Sequence, residues 1–263
     1  MSDPITPKSV DADRATRQAR FVEADEVIDV SQTDAVVIDD APASIWSDAW
    51  RNLRTRPMFI VSAIIILAVI VVAAVPGLFT STDPRFCDLQ FSMQGPGSGH
   101  WFGYDRQGCD IYSRVLFGAR ASVLTGVGVT FLVLVIGVVF GALAGFYGGI
   151  ADSLLSRITD IFFGVPLILA AIVLMQLFTD RTIFTVILVL ALFGWPQMAR
   201  ITRGAVLSAK GNDYVMASQA LGLTRLRTLI RHVLPNAMAP IIVITTISLG
   251  TFIVAEATLS FLG

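Results

Sequence analysis

Five stretches of this 263-residue chain carry no Asp, Glu, Lys or Arg: 57–82, 121–151, 161–179, 182–199 and 233–255. Each has about the length of the roughly 20-residue helix that crosses a hydrocarbon core. Lipid offers no partners to backbone N–H and C=O groups, and these runs lack the alternating polar pattern of a barrel strand. Five spanning helices are therefore expected, in an all-α polytopic membrane protein, and a β-barrel is excluded. Composition agrees, since 54% hydrophobic and only 15% charged residues suit a bilayer better than water. The first run begins after 56 residues and is longer than a signal peptide needs, so it reads as a persistent anchor.

Basic residues set the orientation. Arg51, Arg54 and Arg56 precede the first span, and Arg200, Arg203, Lys210, Arg225, Arg227 and Arg231 fill the loop between the fourth and fifth. The positive-inside rule places both, and the N-terminus, in the cytoplasm. The loop between the first two spans is then external, although Arg85, Arg106, Arg114 and Arg120 lie there opposite Asp83, Asp88, Asp105 and Asp110. Five crossings leave the far end outside, and a sixth span is expected beyond it. The expected organisation is an acidic cytoplasmic tail (1–45), an interfacial helix and first span (46–82), an external loop (83–120) and a core (121–263) containing a cytoplasmic loop (200–233). Residues 1–48 hold eleven acids against four basic residues, and the dispersed Ser, Thr and Pro read as a disordered tail. Trp46 and Trp50, with Arg51 and Arg54, point to a short amphipathic helix at the interface; a plain aromatic and basic anchor explains them equally well.

Two cysteines and two histidines are too few for a metal cluster, and neither C-x-x-C nor H-E-x-x-H occurs. No G-x-x-x-x-G-K-[ST] loop is present, so the chain cannot hydrolyse ATP by that route. No catalytic residue, resident metal or cofactor is expected. A membrane-embedded enzyme such as a lipid-modifying transferase would need clustered carboxylates, or a nucleophile with its base, near one membrane face, and the spans hold neither. An autonomous secondary transporter or channel stays open, and it predicts activity from this chain alone.

About 30 residues between two spans is long enough to form a structure of its own. Asp213 is expected to cap a helix running to Leu221, with Gly222 as its stop. A second helix is expected from Thr224 to Val233, with Pro235 opening the next span. Tyr214, Val215, Ala217, Ser218 and Leu221 give the first an apolar face, and Arg225, Arg227 and Arg231 make the second basic. That is the profile of a docking element, although a helical loop folded onto its own bundle fits the composition as well. In the second span Gly137, Gly141, Gly145 and Gly149 recur every four residues, a ridge that another helix can approach closely; the neighbour is either internal or another subunit. Arg157 and Asp160 stand three apart and are expected to pair. Glu256 sits where the fifth span should leave the membrane. An ionisable residue at membrane depth is a functional candidate, while an interfacial position costs little. Gln176 and Gln197, with Thr245, Thr246 and Ser248, are further candidates to line a path. His100 reads as an exposed loop residue.

Several of these residues also carry a resemblance. Met216-Ala217-Ser218, three residues, Gly222, nine residues, then His232-Val233-Leu234-Pro235 resembles the EAA loop of ABC-importer permeases, with Met216 in place of its Glu, Ser218 of its second Ala and His232 of its Ile. The run from Arg231 to Asn236 is similar to the dipeptide, oligopeptide and nickel branch. So are His100-Trp101-Phe102-Gly103-Tyr104-Asp105, Gly108-Cys109-Asp110, Ser113-Arg114, Gly118-Ala119-Arg120 and Ser122, which look like the segment before the second span of C-type dipeptide and oligopeptide permeases. Arg157-Ile158-Thr159-Asp160 with Pro166, and the run Glu256 to Gly263, extend the likeness over about 100–263. The resemblance implies a type I ABC-importer transmembrane fold in the cell membrane. It implies a non-catalytic permease subunit for peptides, with nickel or another small solute as the alternative. The implied partners are a second permease, two cytoplasmic ATPases that carry ATP and Mg, and an external substrate-binding protein; nucleic acid is not among them. It further implies that the loop containing Asp213, Tyr214, Met216, Ala217, Ser218, Gly222, Arg225, Arg231, His232 and Pro235 docks on an ATPase and transmits its closure. Cys109 stands where Arg is usual, and the other cysteine, Cys87, is in the same external loop. A Cys87–Cys109 disulfide is expected there.

Overall fold

A computed structural model of the chain describes residues 50–178 and 182–262. The expectations for the acidic tail and for Trp46 fall outside the described residues. The chain divides at Val61 into two compact units. In the first, residues 50–53 are helical and the Trp50 ring meets Phe59 edge-on, centroids 6.2 Å apart.

Every element of length is a helix. The spans are α1 (Pro57–Ala74), α2 (Ile111–Tyr147), the pair α3 (Gly149–Phe163) and α4 (Leu167–Met175), α5 (Ile183–Lys210), and α9 (Met238–Leu262). Between α5 and α9 come α6 (Asp213–Ala220), α7 (Arg225–Thr228) and α8 (Leu234–Asn236). Helix α1 is apolar all round and only Ala73 of it is buried, which suits a lipid-facing surface. It stops at Ala74 because Pro76 disfavours helical backbone at Val75, and a 3-10 turn follows over Pro76–Leu78.

The spans differ from the charge-free stretches in an instructive way. Helix α2 has 37 residues, about 55 Å, and starts ten residues before the uncharged run, taking in Arg114 and Arg120. Helix α5 continues past Arg200 and Arg203 to Lys210. Charge ended the runs, yet a helix tolerates charge wherever it leaves the lipid or finds a partner. The third span is not a straight rod: α3 and α4 meet at 73°. Gly164 and Val165 interrupt the helix, and Pro166 restarts it as the N-cap of α4, its ring incompatible with a continuous ladder. Among the described residues four helices are long and apolar enough to cross a membrane, or five if the bent pair counts as one span.

Helices α2 and α5 form the central pair, and α9 packs on both. The glycine ridge explains the closeness. A Cβ at Gly137 would lie 2.5 Å from Met198 Cβ, one at Gly141 2.4 Å from the Ala199 carbonyl, and one at Gly145 2.8 Å from that of Arg203. The neighbour is therefore internal, and since both sequences advance together the two helices run parallel. Gly149 is not part of this ridge, contrary to the four-residue pattern. It begins α3 with φ +56° after Gly148 at φ +68°, and a Cβ there would touch nothing. These two left-handed glycines part α2 from α3, a backbone region that side chains disfavour. The core around the seam holds Val129, Val133, Leu190, Met198, Val206 and Ile241, all nearly or fully buried.

Candidate functional site

The segment after α5 folds as a helix, a glycine stop and a second helix. Helix α6 begins at Asp213, which is its first residue and not its cap; Asn212 holds the cap position in extended backbone, and Asp213 there still favours the helix dipole. At the other end Leu223 N–H donates to Ser218 O (3.2 Å) and Gly222 N–H to Gln219 O (2.9 Å). This is a Schellman closure, and Gly222 takes the left-handed backbone it requires, φ +86°. Val215 and Ser218 turn into the bundle. The expected apolar face therefore divides: Tyr214, Met216 and Leu221 are exposed, as are Asp213 and Ala217.

The second helix does not end where a new one begins. Helix α7 widens into a π-helical turn over Leu229–Val233 and passes through α8 into α9 with only Ala237 as a turn residue. Leu234 N–H reaches back to Leu229 O, which loosens the turn just where the Pro235 ring would crowd the carbonyl of Arg231. Asn236 Nδ2 donates to His232 O at 2.6 Å. Pro235 thus lies within a helical connection instead of opening the span. Thr224, Leu226, Arg227, Ile230, Arg231 and Pro235 border an open groove of about 640 Å³. Arg225 and Arg231 are exposed and His232 is half-buried. Apolar and basic side chains thus share one exposed surface on an element fastened to α9.

Two cross-helix ion pairs fasten α3 to α5. Arg203 Nε and Nη2 donate to the two carboxylate oxygens of Asp152 at 2.6 and 2.7 Å, the bidentate form that fixes geometry as well as charge. Arg200 Nη2 donates to Asp160 at 2.7 Å and stacks its guanidinium 3.7 Å over the Phe163 ring. The partner of Asp160 is therefore Arg200 and not Arg157, because the seam brings α5 to the same face of α3. Lys210 Nζ donates to the Phe146 carbonyl, so α5 also holds the end of α2. The three-residue spacing of Arg200 and Arg203 is the sequence signal for this, but their partners lie 40 and 51 residues away.

Of the polar residues proposed to line a path, Gln197 and Ser248 come together and Glu256 lies apart from them. Gln197 borders a groove at the α3–α4 break with Ser248, Thr251, Phe252 and Pro166. Gln176 is the C-cap of α4 and is exposed. Thr245 and Thr246 donate to carbonyls of their own helix. Glu256 faces a separate cavity with Thr125, Thr182 and Ser260. Helix α9 continues for six residues past Glu256.

Residues 75–110 form a folded loop. Cys87 and Cys109 are joined by a disulfide, their Cα atoms 4.1 Å apart. Asp105 accepts from the N–H groups of Gln107 (2.8 Å) and Cys109 (2.9 Å) and pairs with Arg114. The Cys109 N–H and these partners outweigh desolvation and hold its carboxyl below the usual range. Asp110 is buried and caps α2 by accepting from Ser113 N–H at 2.9 Å. Burial alone would raise its pKa, but Ser113 and the His100 ring, 3.1 Å away, bring it lower than an ordinary Asp. His100 is thus half-buried and bonded, not a free loop residue.

Such a helical bundle, with a bent span and a helix–Gly–helix segment after α5, is that of a polytopic membrane protein. Residues 137–263 match the family described as binding-protein-dependent transport system inner membrane component. Residues 44–96 match the N-terminal transmembrane domain of oligopeptide transport permease C. The oligopeptide transport system permease protein OppC of Bacillus subtilis is 40% identical over 88% of this chain and 75% of its own length. The dipeptide transport system permease protein DppC of the same organism is 37% identical over 84% and 68%. The glutathione transport system permease protein GsiD of Escherichia coli is 36% identical over 87% and 75%. The chain belongs to the binding-protein-dependent transport system inner membrane component family, with the type I ABC-importer permease fold.

Proposed function

We propose that this permease subunit carries peptides, pairing with a second permease and driven by two ATPases that dock on the 211–237 segment. The N-terminus and that segment lie in the cytoplasm, and the Cys87–Cys109 loop lies outside, facing a substrate-binding protein. The observation that carries the coupling role is the exposed face of Tyr214, Met216, Leu221, Leu226 and Ile230 beside Arg225, Arg227 and Arg231, on an element that continues into α9. Force on that face passes through the π turn into a span, and α9 borders the groove where α3–α4 breaks. Substrate paths in transporters commonly lie at discontinuous helices. ATP and Mg belong to the ATPases, and the chain itself performs no bond chemistry. Peptides are favoured over nickel because the relatives' names give oligopeptides, dipeptides and glutathione, the last a γ-linked tripeptide.

The test is ATP-driven uptake of radiolabelled tri-alanine by the purified importer assembly in vesicles. Uptake by this chain alone, without an ATPase, would make it a secondary transporter and end the proposal. Gly222→Pro supplies the sharper arm. Proline cannot adopt φ +86° and removes the N–H that closes α6, so the variant should insert normally and lose ATP-driven uptake. Unimpaired uptake would contradict a coupling role for the segment.

A further inference from the structure

A cavity of about 350 Å³ lies between α2, α4, α5 and α9, bordered by Glu256, Thr125, Thr182 and Ser260 together with apolar Met175 and Leu259. One carboxylate oxygen of Glu256, Oε2, is buried there and accepts no hydrogen bond. Nothing in the coupling or packing already described uses this residue. An ionised carboxylate inside a spanning helix is costly unless a donor reaches it, and such residues in membrane proteins mark sites of function. We propose that the cavity binds a primary ammonium group: the charged amino terminus of the peptide in transit, an assignment that rests on the peptide reading above.

The chemistry of the lining selects that ligand. A primary ammonium brings one positive charge and three N–H donors. Glu256 supplies the countercharge and one acceptor, and the hydroxyls of Thr125 and Ser260 border the same space. Glu256 is the one acidic residue among the described lining residues, and among the described residues no group of three His, Cys, Asp or Glu comes together, a lining that suits a monovalent organic cation better than a divalent metal. Met175 and Leu259 provide the apolar wall for whatever carbon the ammonium is attached to.

Two measurements on the purified assembly test this. A hydrophobic carbodiimide should form an N-acylurea on Glu256, read by mass spectrometry. Methylammonium and tri-alanine should slow that labelling about tenfold, as one charge-assisted hydrogen-bonded contact would. Tetramethylammonium, which has no N–H, and N-acetyl-tri-alanine should leave it unchanged. Glu256→Gln should lower ATP-driven tri-alanine uptake by a similar factor. The site is refuted if Glu256 does not label, if all four compounds act alike, or if Glu256→Gln imports tri-alanine at the unaltered rate. Protection by methylammonium in an assembly that neither binds nor imports tri-alanine would keep the ammonium site and refute peptides as its source.

Discussion

Replacing Gly141 by alanine adds one methyl group to the tightest point of the α2–α5 seam. That carbon would sit 2.4 Å from the Ala199 carbonyl oxygen, 2.7 Å from Thr202 Cβ and 3.0 Å from Arg203 N. Two of the three atoms are backbone and none is the far end of a flexible side chain. Favourable separations between nonbonded carbons are about 3.5–4.0 Å, so the helices must part locally by roughly 1 Å. Gly137 and Gly145 lie on the same seam and lose contact as it opens. Overpacking of this kind costs about 1–3 kcal/mol. Alanine gains back at most about 1 kcal/mol of helix propensity, leaving a net loss on the order of 1–2 kcal/mol. Gly118 is the control: it is in the same helix and its added Cβ would touch nothing within 4 Å, so only the propensity gain applies. Unfolding of the purified chain in mixed micelles, titrated with SDS and followed by circular dichroism, should move the two variants in opposite directions. If Gly141→Ala is as stable as Gly118→Ala, the seam is not the close contact that the geometry requires.

Two further outcomes concern the Cys87–Cys109 loop. Because the folded pKa of Asp110 is depressed below its usual 3.8, its ionised form stabilises the loop and the start of α2. That contribution is fully present above about pH 4 and is lost as pH falls through the lowered value. Asp110→Asn, which keeps a capping oxygen but removes its charge, should therefore destabilise the loop by about 1 kcal/mol at pH 7, the difference between a charged and a neutral hydrogen-bond acceptor, and by less at pH 2, read as protease cleavage within 88–108; an equal penalty at both pH values would refute it. Alkylation should add mass to Cys87 and Cys109 only after reduction, and replacing both by serine should cost the loop about 2–4 kcal/mol, visible as faster cleavage of the same stretch. Two alkylated thiols in the native protein would contradict the bond.

The sequence was most readable where one physical rule acts alone. Uncharged runs mark the spans because lipid rejects charge, and Gly222 marks a helix stop because few other residues enter left-handed backbone. It was least readable where the answer depends on a neighbour brought in by folding. Arg200 and Arg203 looked like loop residues until α3 supplied Asp160 and Asp152. Arg157, the nearer cation in sequence, was bypassed because α5 brings Arg200 against Asp160. Gly149 kept the four-residue rhythm of the ridge but fell one step beyond the helix, where spacing no longer describes a face. Gln176, Gln197 and Glu256 were recognisable as polar residues in apolar spans, yet only the packing shows that Gln197 and Glu256 border different spaces. Thr125 and Ser260 gave no signal at all, since a lone hydroxyl in a spanning helix more often bonds its own backbone, as Thr130 does.

The helical run through Pro235 connects the exposed 211–237 segment to α9, and so to the Glu256 cavity, with only the turn at Ala237 between them. Position 256 is about 28 Å along the axis from Ala237 at 1.5 Å per residue. Tilting α9 about that turn by about 5° would therefore sweep the carboxylate sideways by roughly 2.5 Å, nearly the length of a hydrogen bond. A rotation too small to disturb the packing near its pivot is then enough to change which groups the carboxylate can reach.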